Sequence, residues 1–379
     1  MNTLNWLNQT MLIERLVGVG VYAFFLMMTY FFLKSAKDYK SVCRTLNVYL
    51  ILLCLLAFFY VPSTAADLYR WRFLSRNWPQ MSFAEFYEVH LKSNTVPVAY
   101  LLIYLANLTG ISGVLPAFCA FVFFLNVFHI LKDLYKKHNI SAPTLATALL
   151  LIMASGCFLE VISGVRCFMA LSILSRCFYD EIINNKPIVK NLLWELIASL
   201  IHPMALVIFV IRLCFLLMQK SNSPIKKIMN IGVMLIAAFF AYQYGRGYIQ
   251  AALNKAETYA SSETAYSYIW EHIIGAILVV AFISILLYSR KDEKPIGFKS
   301  FILINILFVA IELIFVFEYN TFHRTITLSL ITMIPVLAHT INDGRNKGLR
   351  NFITVLSLLV LVVAAVRGNL CGYKFFLLN

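Results

Sequence analysis

The sequence predicts an all-α, polytopic helical membrane protein, and three observations carry that prediction. Of its 379 residues, 61% are hydrophobic and 13% charged, whereas a soluble domain is about half apolar and about a quarter charged. The apolar residues fall into repeated runs near the ~20 residues a helix needs to cross a hydrocarbon core. The lysines and arginines behind the net charge of +14 cluster in short loops between those runs, the positive-inside pattern. No polar segment is long enough to build a soluble domain, so residues 1–379 read as one integral membrane domain. Nucleic acid is set aside as a partner, because no basic-aromatic face is large enough to track phosphates.

Taken in order, the clear spans are about 16–34, 44–62, 114–131, 142–158, 166–183, 228–243, 268–288, 300–318, 325–341 and 351–366. Residues 97–110 are apolar but short, and 191–218 is too long for one plain span and carries His202-Pro203 in its middle. About 10–12 transmembrane segments follow, some broken or re-entrant. The basic loops Lys34–Arg44, Lys132–Lys137, Lys186–Lys190, Lys220–Lys227, Arg290–Lys299 and Arg345–Arg350 all favour the cytoplasm. Simple alternation cannot put all six there. Two adjustments restore the parity: 191–218 becomes a hairpin turning at His202-Pro203, and 97–131 becomes one crossing broken near Gly110-Ile111-Ser112-Gly113. Proline and glycine suit such breaks. Both chain ends then face outward.

The same placement gathers the polar interruptions on the outer side. Two outer segments result, about 63–95 and 244–267. The first interleaves Trp71, Phe73, Trp78, Phe83, Phe86 and Tyr87 with Arg70, Arg72, Arg76, Glu85 and Glu88, an amphipathic stretch suited to the membrane interface. The second carries Tyr244, Arg246, Tyr248, Tyr259 and Tyr266. Such rings serve equally as sugar-stacking platforms or as an interfacial belt. The eight cysteines, Cys43, Cys54, Cys119, Cys157, Cys167, Cys177, Cys214 and Cys371, form no Cys-x-x-Cys pair and read as small buried hydrophobes. No cleavable signal peptide is expected, since the first apolar run follows a start with no basic region.

Charge beside lipid is expensive and usually lines a wet cavity or polar site. Four such stretches break the apolar chain: Asp67-Leu68-Tyr69-Arg70, Ser163-Gly164-Val165-Arg166, His202-Pro203 and Glu318-Tyr319-Asn320-Thr321-Phe322-His323-Arg324. Arg166 presents a planar fork suited to phosphate oxygens, and Arg324 is a second clamp for the same anion. Either could instead snorkel from a helix end. Asp67 and Glu160 can serve as general bases or pair with Arg70 and Arg166. His202, with Glu195 two helical turns earlier on the same face, has either a chemical role or a structural contact with that carboxylate. His323 is a proton shuttle or a hydrogen-bonded filler. Arg176 and Asp180, spaced i, i+4, read as an ion pair near the cytoplasmic end. There is no His-Glu-x-x-His, no Asp-x-Asp and no glycine-rich phosphate loop, so neither a metal nor any other cofactor is expected.

Asp67 with Tyr69, the run Ile162 to Arg166, the run Ala198 to His202, and Arg324 at the head of a late span together resemble the EpsG/Wzy-like family of O-antigen and exopolysaccharide repeat-unit polymerases. Leu68 intervenes where the family more often has tyrosine directly after aspartate, and Cys167 stands where glutamine is common. The resemblance implies a glycosyltransferase of lipopolysaccharide and polysaccharide biosynthesis in the bacterial inner membrane, with a periplasmic active face. Its donor and acceptor would be undecaprenyl-diphosphate-linked oligosaccharides, and a chain-length regulator protein is a further partner it allows. Arg166 and Arg324 would hold the diphosphate, with Tyr69, Arg70 and His323 lining the substrate site. One of Asp67, Glu160 or His202 would deprotonate the acceptor hydroxyl. Two rival readings are a transporter or flippase of lipid-linked sugars and another outer-face glycosyl- or acyltransferase. No internal repeat of the kind common in transporters stands out.

Overall fold

The computed structural model describes residues 2–62, 66–92, 94–155, 157–219, 232, 269–289, 296–314, 319–367 and 374–375. The 228–243 span, the 244–267 segment, Glu318 and most of the 220–227 and 290–299 loops fall outside the described residues.

The chain is all-α. Its helices are α1 (Asn2–Lys34), α2 (Tyr39–Phe58), α3 (Asp67–Leu74), α4 (Phe83–Phe86), α5 (Pro97–Leu108), α6 (Val114–His138), α7 (Ala142–Ala154), α8 (Cys157–Ser163), α9 (Cys167–Phe178), α10 (Ile188–Ser199), α11 (Pro203–Gln219), α12 (Ile269–Ser289), α13 (Ile296–Ile314), α14 (Tyr319–Asn342) and α15 (Lys347–Arg367). Among the described residues, five helical stretches are long and apolar enough to cross a membrane: Val17–Lys34, Tyr39–Phe58, Val114–His138, Arg324–Asn342 and Lys347–Ala365. Four shorter apolar helices accompany them. Large side chains such as Phe24, Phe32, Ile51, Phe352 and Leu359 stay exposed on the outer helices. That is the inverse of a soluble surface and the pattern expected of lipid-facing positions.

Local signals set the helix ends. The Asp38 carboxylate accepts the Ser41 N–H at 2.6 Å and starts α2. Its hydrogen bonds to the Ser41 backbone and side chain hold Asp38 below the ordinary carboxylate value. Asn139, at φ 52°, closes α6 in the left-handed conformation asparagine tolerates. Proline opens α5, and α11 begins at Pro203. The break expected within 97–131 is present as the turn between α5 and α6, with Gly110 at φ 69°. α6 alone is about 37 Å long at 1.5 Å per residue, enough to span. The shorter α5 packs on α6 and on the segments Trp78–Gln80 and Tyr87–Leu91. The break at His202-Pro203 divides α10 from α11, and the two helices pack on each other.

α14 forms the centre of the bundle, with 89% of its apolar window buried, while α15 lies at the edge with 22%. α6, α7 and α9 complete the core, and α2 packs most extensively on α6. Polar pairs fasten the helices where hydrophobicity provides no preference between protein and lipid. Thr332 Oγ1 donates to Asn305 Oδ1 at 2.8 Å between α13 and α14. Ser289 and Thr340 share a hydrogen bond at 2.7 Å between α12 and α14, and Tyr22 of α1 donates to the Met153 carbonyl of α7 at 2.8 Å.

Contacts sort the turns into two ends. At one end the Lys136 ammonium lies over the Tyr39 ring, and Asn342 Oδ1 accepts the Ser141 N–H at 2.8 Å. Asn184 donates to Asp133 there at 2.8 Å, and Gly297 presses on the Ile182 carbonyl so closely that a Cβ would meet it at 2.5 Å. These contacts draw together the basic loops around 34–44, 132–141, 184–190, 296–299 and 342–350. At the other end Gly113 packs directly on the Phe58 carbonyl, leaving no room for a side chain. Arg72 Nη2 donates to the Ser112 carbonyl at 2.8 Å, and Tyr60–Val61 pairs antiparallel with Lys374–Phe375.

Candidate active site

The site begins with a tight turn between α8 and α9. Gly164 N–H donates to the Glu160 carbonyl at 2.7 Å, and Arg166 N–H donates back to the Gly164 carbonyl. A Cβ on Gly164 would lie 2.8 Å from the Phe168 ring and 2.9 Å from the Glu160 carbonyl, so only glycine fits. Val165 follows at φ 41°, a conformation that costs a β-branched residue about 1–3 kcal/mol. Surrounding packing holds it there: Val165 is buried, and its carbonyl accepts the Cys119 thiol at 3.2 Å. The turn delivers Arg166 to the first position ahead of α9.

From there the Arg166 guanidinium extends over the indole of Trp71, with its carbon 4.4 Å from the ring centroid. Trp71 is a buried residue of α3. Its ring meets Tyr100 of α5 edge-on at 5.3 Å, and Tyr100 stacks on Trp78 at 5.5 Å. Phe86 stacks on Tyr104 at 4.1 Å. The 67–91 segment therefore folds onto the bundle. Trp71, Trp78 and Phe86 fold inward as a wall against α5, while Phe73, Phe83 and Tyr87 remain exposed. Arg72 anchors the wall at the α5–α6 turn, where burial lowers its guanidinium from the ordinary value.

Charges from four separate elements converge on this wall. Asp67 of α3 and Arg324 of α14 lie within electrostatic reach of Arg166. Arg324, Arg166, Glu160 and Asp67 all act on the Cys167 thiol. Asp67, Glu160, Arg166 and Arg324 are thus brought together although they span more than 250 residues of chain. Arg166 and Arg324 carry like charges and oppose each other, an arrangement that an anion between them relieves. Asp67 also pairs with Arg70 at 2.6 Å on the solvent side. That pair leaves Arg70 on the rim, and Tyr69 is exposed on the same helix.

His202 Nδ1 accepts the Met204 N–H at 3.2 Å, which makes it a cap for α11. Glu195 does not supply its partner as the helical spacing suggests. α10 ends at Ser199, so the phase linking positions 195 and 202 is lost in the turn. Glu195 instead lies fully buried among charges of the basic half, near Glu181 and Arg212. His323 sits one position before Arg324 in α14, and its side chain lies outside the described residues.

Three features escape a reading of the sequence alone: Trp71 as the surface under Arg166, the buried Arg212–Glu181 ion pair between α11 and the turn Tyr179–Ile183, and Glu312 buried on α13. Arg212 and Glu312 each interrupt an apolar run, and that interruption is the signal the sequence carries for them. The Arg176–Asp180 pair is present at 3.8 Å, but Asp180 is held more tightly by Lys186 at 2.8 Å and also meets His129 at 3.4 Å. Among the described residues, no group of three or more His, Cys, Asp or Glu side chains is arranged to hold a metal ion.

Two guanidinium groups, two carboxylates and an aromatic wall thus share one neighbourhood. No curated protein and no solved structure matches the chain. The model of the EpsG family matches residues 69–377, a stretch containing Arg166, Glu160, Trp71 and Arg324, and the chain belongs to the EpsG family.

Proposed function

We propose that this protein joins undecaprenyl-diphosphate-linked oligosaccharide repeat units at the periplasmic face of the bacterial inner membrane. Membership of the EpsG family supports a polysaccharide polymerase-like role in broad terms. The observation that carries the finer reading is the convergence of Arg166 and Arg324 with Asp67 and Glu160 at the end of the bundle opposite the basic loops. Basic loops favour the cytoplasm, so the arginine site would open outward.

In this reading the donor's diphosphate lies between Arg166 and Arg324. An acceptor hydroxyl attacks the anomeric carbon of the donor, and a carboxylate, Asp67 or Glu160, takes the hydroxyl proton. The bond from the anomeric carbon to the diphosphate oxygen breaks, and undecaprenyl diphosphate leaves with the electron pair. Both guanidinium groups then offset charge growing on the departing oxygen, where electrostatic stabilisation contributes most. No nucleotide is required, because the sugar-diphosphate bond is already activated.

The test is purified protein in liposomes with one defined lipid-linked repeat unit. A ladder of lengthened glycan supports the polymerase. Translocation without lengthening would replace it with a transporter, and addition of a single sugar or acyl group with another transferase.

A further inference from the structure

A cationic pocket lies at the end of α9 opposite Arg166. Arg166 stands at the head of that helix and Arg176 ten residues on, about 15 Å away at 1.5 Å per residue. Around Arg176 the α9–α10 junction encloses a cavity of about 250 Å³. Arg176, Lys186 and Lys190 line it, three cations against the single carboxylate of Asp180. That carboxylate is already engaged, by Lys186 at 2.8 Å, Asn184 at 3.2 Å, His129 at 3.4 Å and Arg176 itself at 3.8 Å. Positive charge is therefore left over inside the cavity.

The cavity is built, with buried polar walls. Asn126 and Asn191 line it and are more than nine-tenths buried. Asn126 Oδ1 accepts from Arg176 at 3.2 Å and fixes one edge of the guanidinium. Pro187, Lys190 and Asn191 bring the first turn of α10 to the cavity, and no side chain caps that turn. Its free backbone N–H groups add to the cationic side chains. The remaining wall is apolar, from Val122, Leu125, Ile173 and Trp194. Trp194 is itself half exposed, and Val189 and Leu193 next to it on α10 are exposed, so the cavity borders a lipid-facing surface.

We infer that this pocket binds the phosphate of an anionic phospholipid headgroup. The phosphate sits between Arg176, Lys190 and the start of α10, and the glycerol end of the acyl chains lies on the Trp194 side. Guanidinium, ammonium and free N–H donors are the set that recognises a phosphate ester. The adjoining apolar wall favours a lipid over a free ion. The pocket is separate from the arginine site, so this inference does not rest on the polymerase reading.

The experiment uses the full-length protein in a neutral detergent. Native mass spectrometry and thermal unfolding are followed as phosphatidylglycerol, phosphatidylcholine or inorganic phosphate is added. Phosphatidylglycerol is expected to be retained and to raise the unfolding temperature, and phosphatidylcholine to do neither. Lys190→Gln, an exposed position, should weaken retention by about ten-fold, the loss of one charge-assisted contact, while eluting from a sizing column as the parent does. Equal stabilisation by inorganic phosphate, abolished by the same substitution, would support the phosphate site with the free ion as its source. Retention that ignores headgroup charge, or that Lys190→Gln leaves unchanged, overturns the inference.

Discussion

Arg166 lies on the face of Trp71, 4.4 Å from guanidinium carbon to ring centroid, and the two come from helices nearly a hundred residues apart. The contact fixes where the guanidinium points. A partly desolvated cation on an indole gains about 1–2 kcal/mol, and the flat ring leaves the donor edges of the fork free for a ligand. Trp71→Ala should therefore lower polymerisation about ten-fold, since about 1.4 kcal/mol is a factor of ten. Trp71→Phe should retain most activity because an aromatic face remains. The check is the initial rate of ladder formation in liposomes. Equal loss in both variants would mean that Trp71 serves packing alone.

The turn that presents Arg166 is the next place to probe. Gly164→Ala places a methyl group against Phe168 and the Glu160 carbonyl, both closer than 3.0 Å. Overpacking of this kind costs about 1–3 kcal/mol and should displace the head of α9. Val165→Gly has the opposite character. It relieves the positive φ while loosening the turn, so unfolding temperature should hold or fall little while activity drops. Thermal unfolding and ladder assays on the two variants separate these effects. Normal activity in Val165→Gly would show that the turn needs no fixed conformation.

Hydropathy by itself makes the spans legible in the sequence. Glycine and proline mark the breaks at 110–113 and 202–203, because glycine takes up the positive φ that turns the chain at Gly110 and proline has no backbone N–H to continue a helix into. Arg166 and Arg324 are legible for a related reason: each is charged at the head of an apolar run. Trp71 is not. An aromatic residue in an outer loop has the same sequence context whether it faces lipid or lies beneath a guanidinium, and only the folding of 67–91 onto α5 decides between them. Helical phase matches Glu195 to His202, and it fails because the helix ends between them. The actual neighbours of Glu195, Glu181 and Arg212, come from other helices, and no periodicity within one segment reports such a meeting.

That meeting has a stability consequence. Arg212 pairs with Glu181, and Glu195 lies close by with neither carboxylate oxygen hydrogen-bonded among the described residues. Removing the cation leaves two carboxylates in the interior facing each other. Arg212→Ala should cost about 3–5 kcal/mol, the range for breaking a buried pair. Arg212→Met combined with Glu181→Leu should recover much of the loss, because the uncompensated charge goes with its partner. Unfolding temperature in detergent decides this, and a double variant no better than Arg212→Ala would show that the pair contributes through geometry and not through charge balance.

The two ends of the bundle can be assigned to sides by chemistry. Ser35 and Asp343 lie at turns of the basic end, and Asn77 lies in the exposed turn after α3. In a background with all eight cysteines replaced, Ser35→Cys and Asp343→Cys should resist a membrane-impermeant maleimide applied from the periplasm and react after permeabilisation. Asn77→Cys should react from the periplasm directly. Labelling of Asn77→Cys and Ser35→Cys from the same side would contradict the separation of the ends and remove the outward-facing site.

The sharpest test of the chemistry is conservative substitution at both arginines. Lysine keeps the charge of Arg166 and Arg324 but offers a point donor where arginine offers a planar fork. If the groups act only by attracting an anion, Arg166→Lys and Arg324→Lys will be close to the parent. If they grip a diphosphate through paired donors, each loses a charge-assisted hydrogen bond worth about 1.5–3 kcal/mol, a fall of about 10–150-fold in turnover. The second outcome is expected at Arg166, whose guanidinium plane Trp71 already orients. In the proposed mechanism Arg166→Ala should fall further, on the order of several hundred-fold, because Arg324 alone would then face the departing diphosphate. A full-length ladder from Arg166→Ala, in protein that inserts and unfolds normally, would remove Arg166 from the reaction and the diphosphate clamp with it.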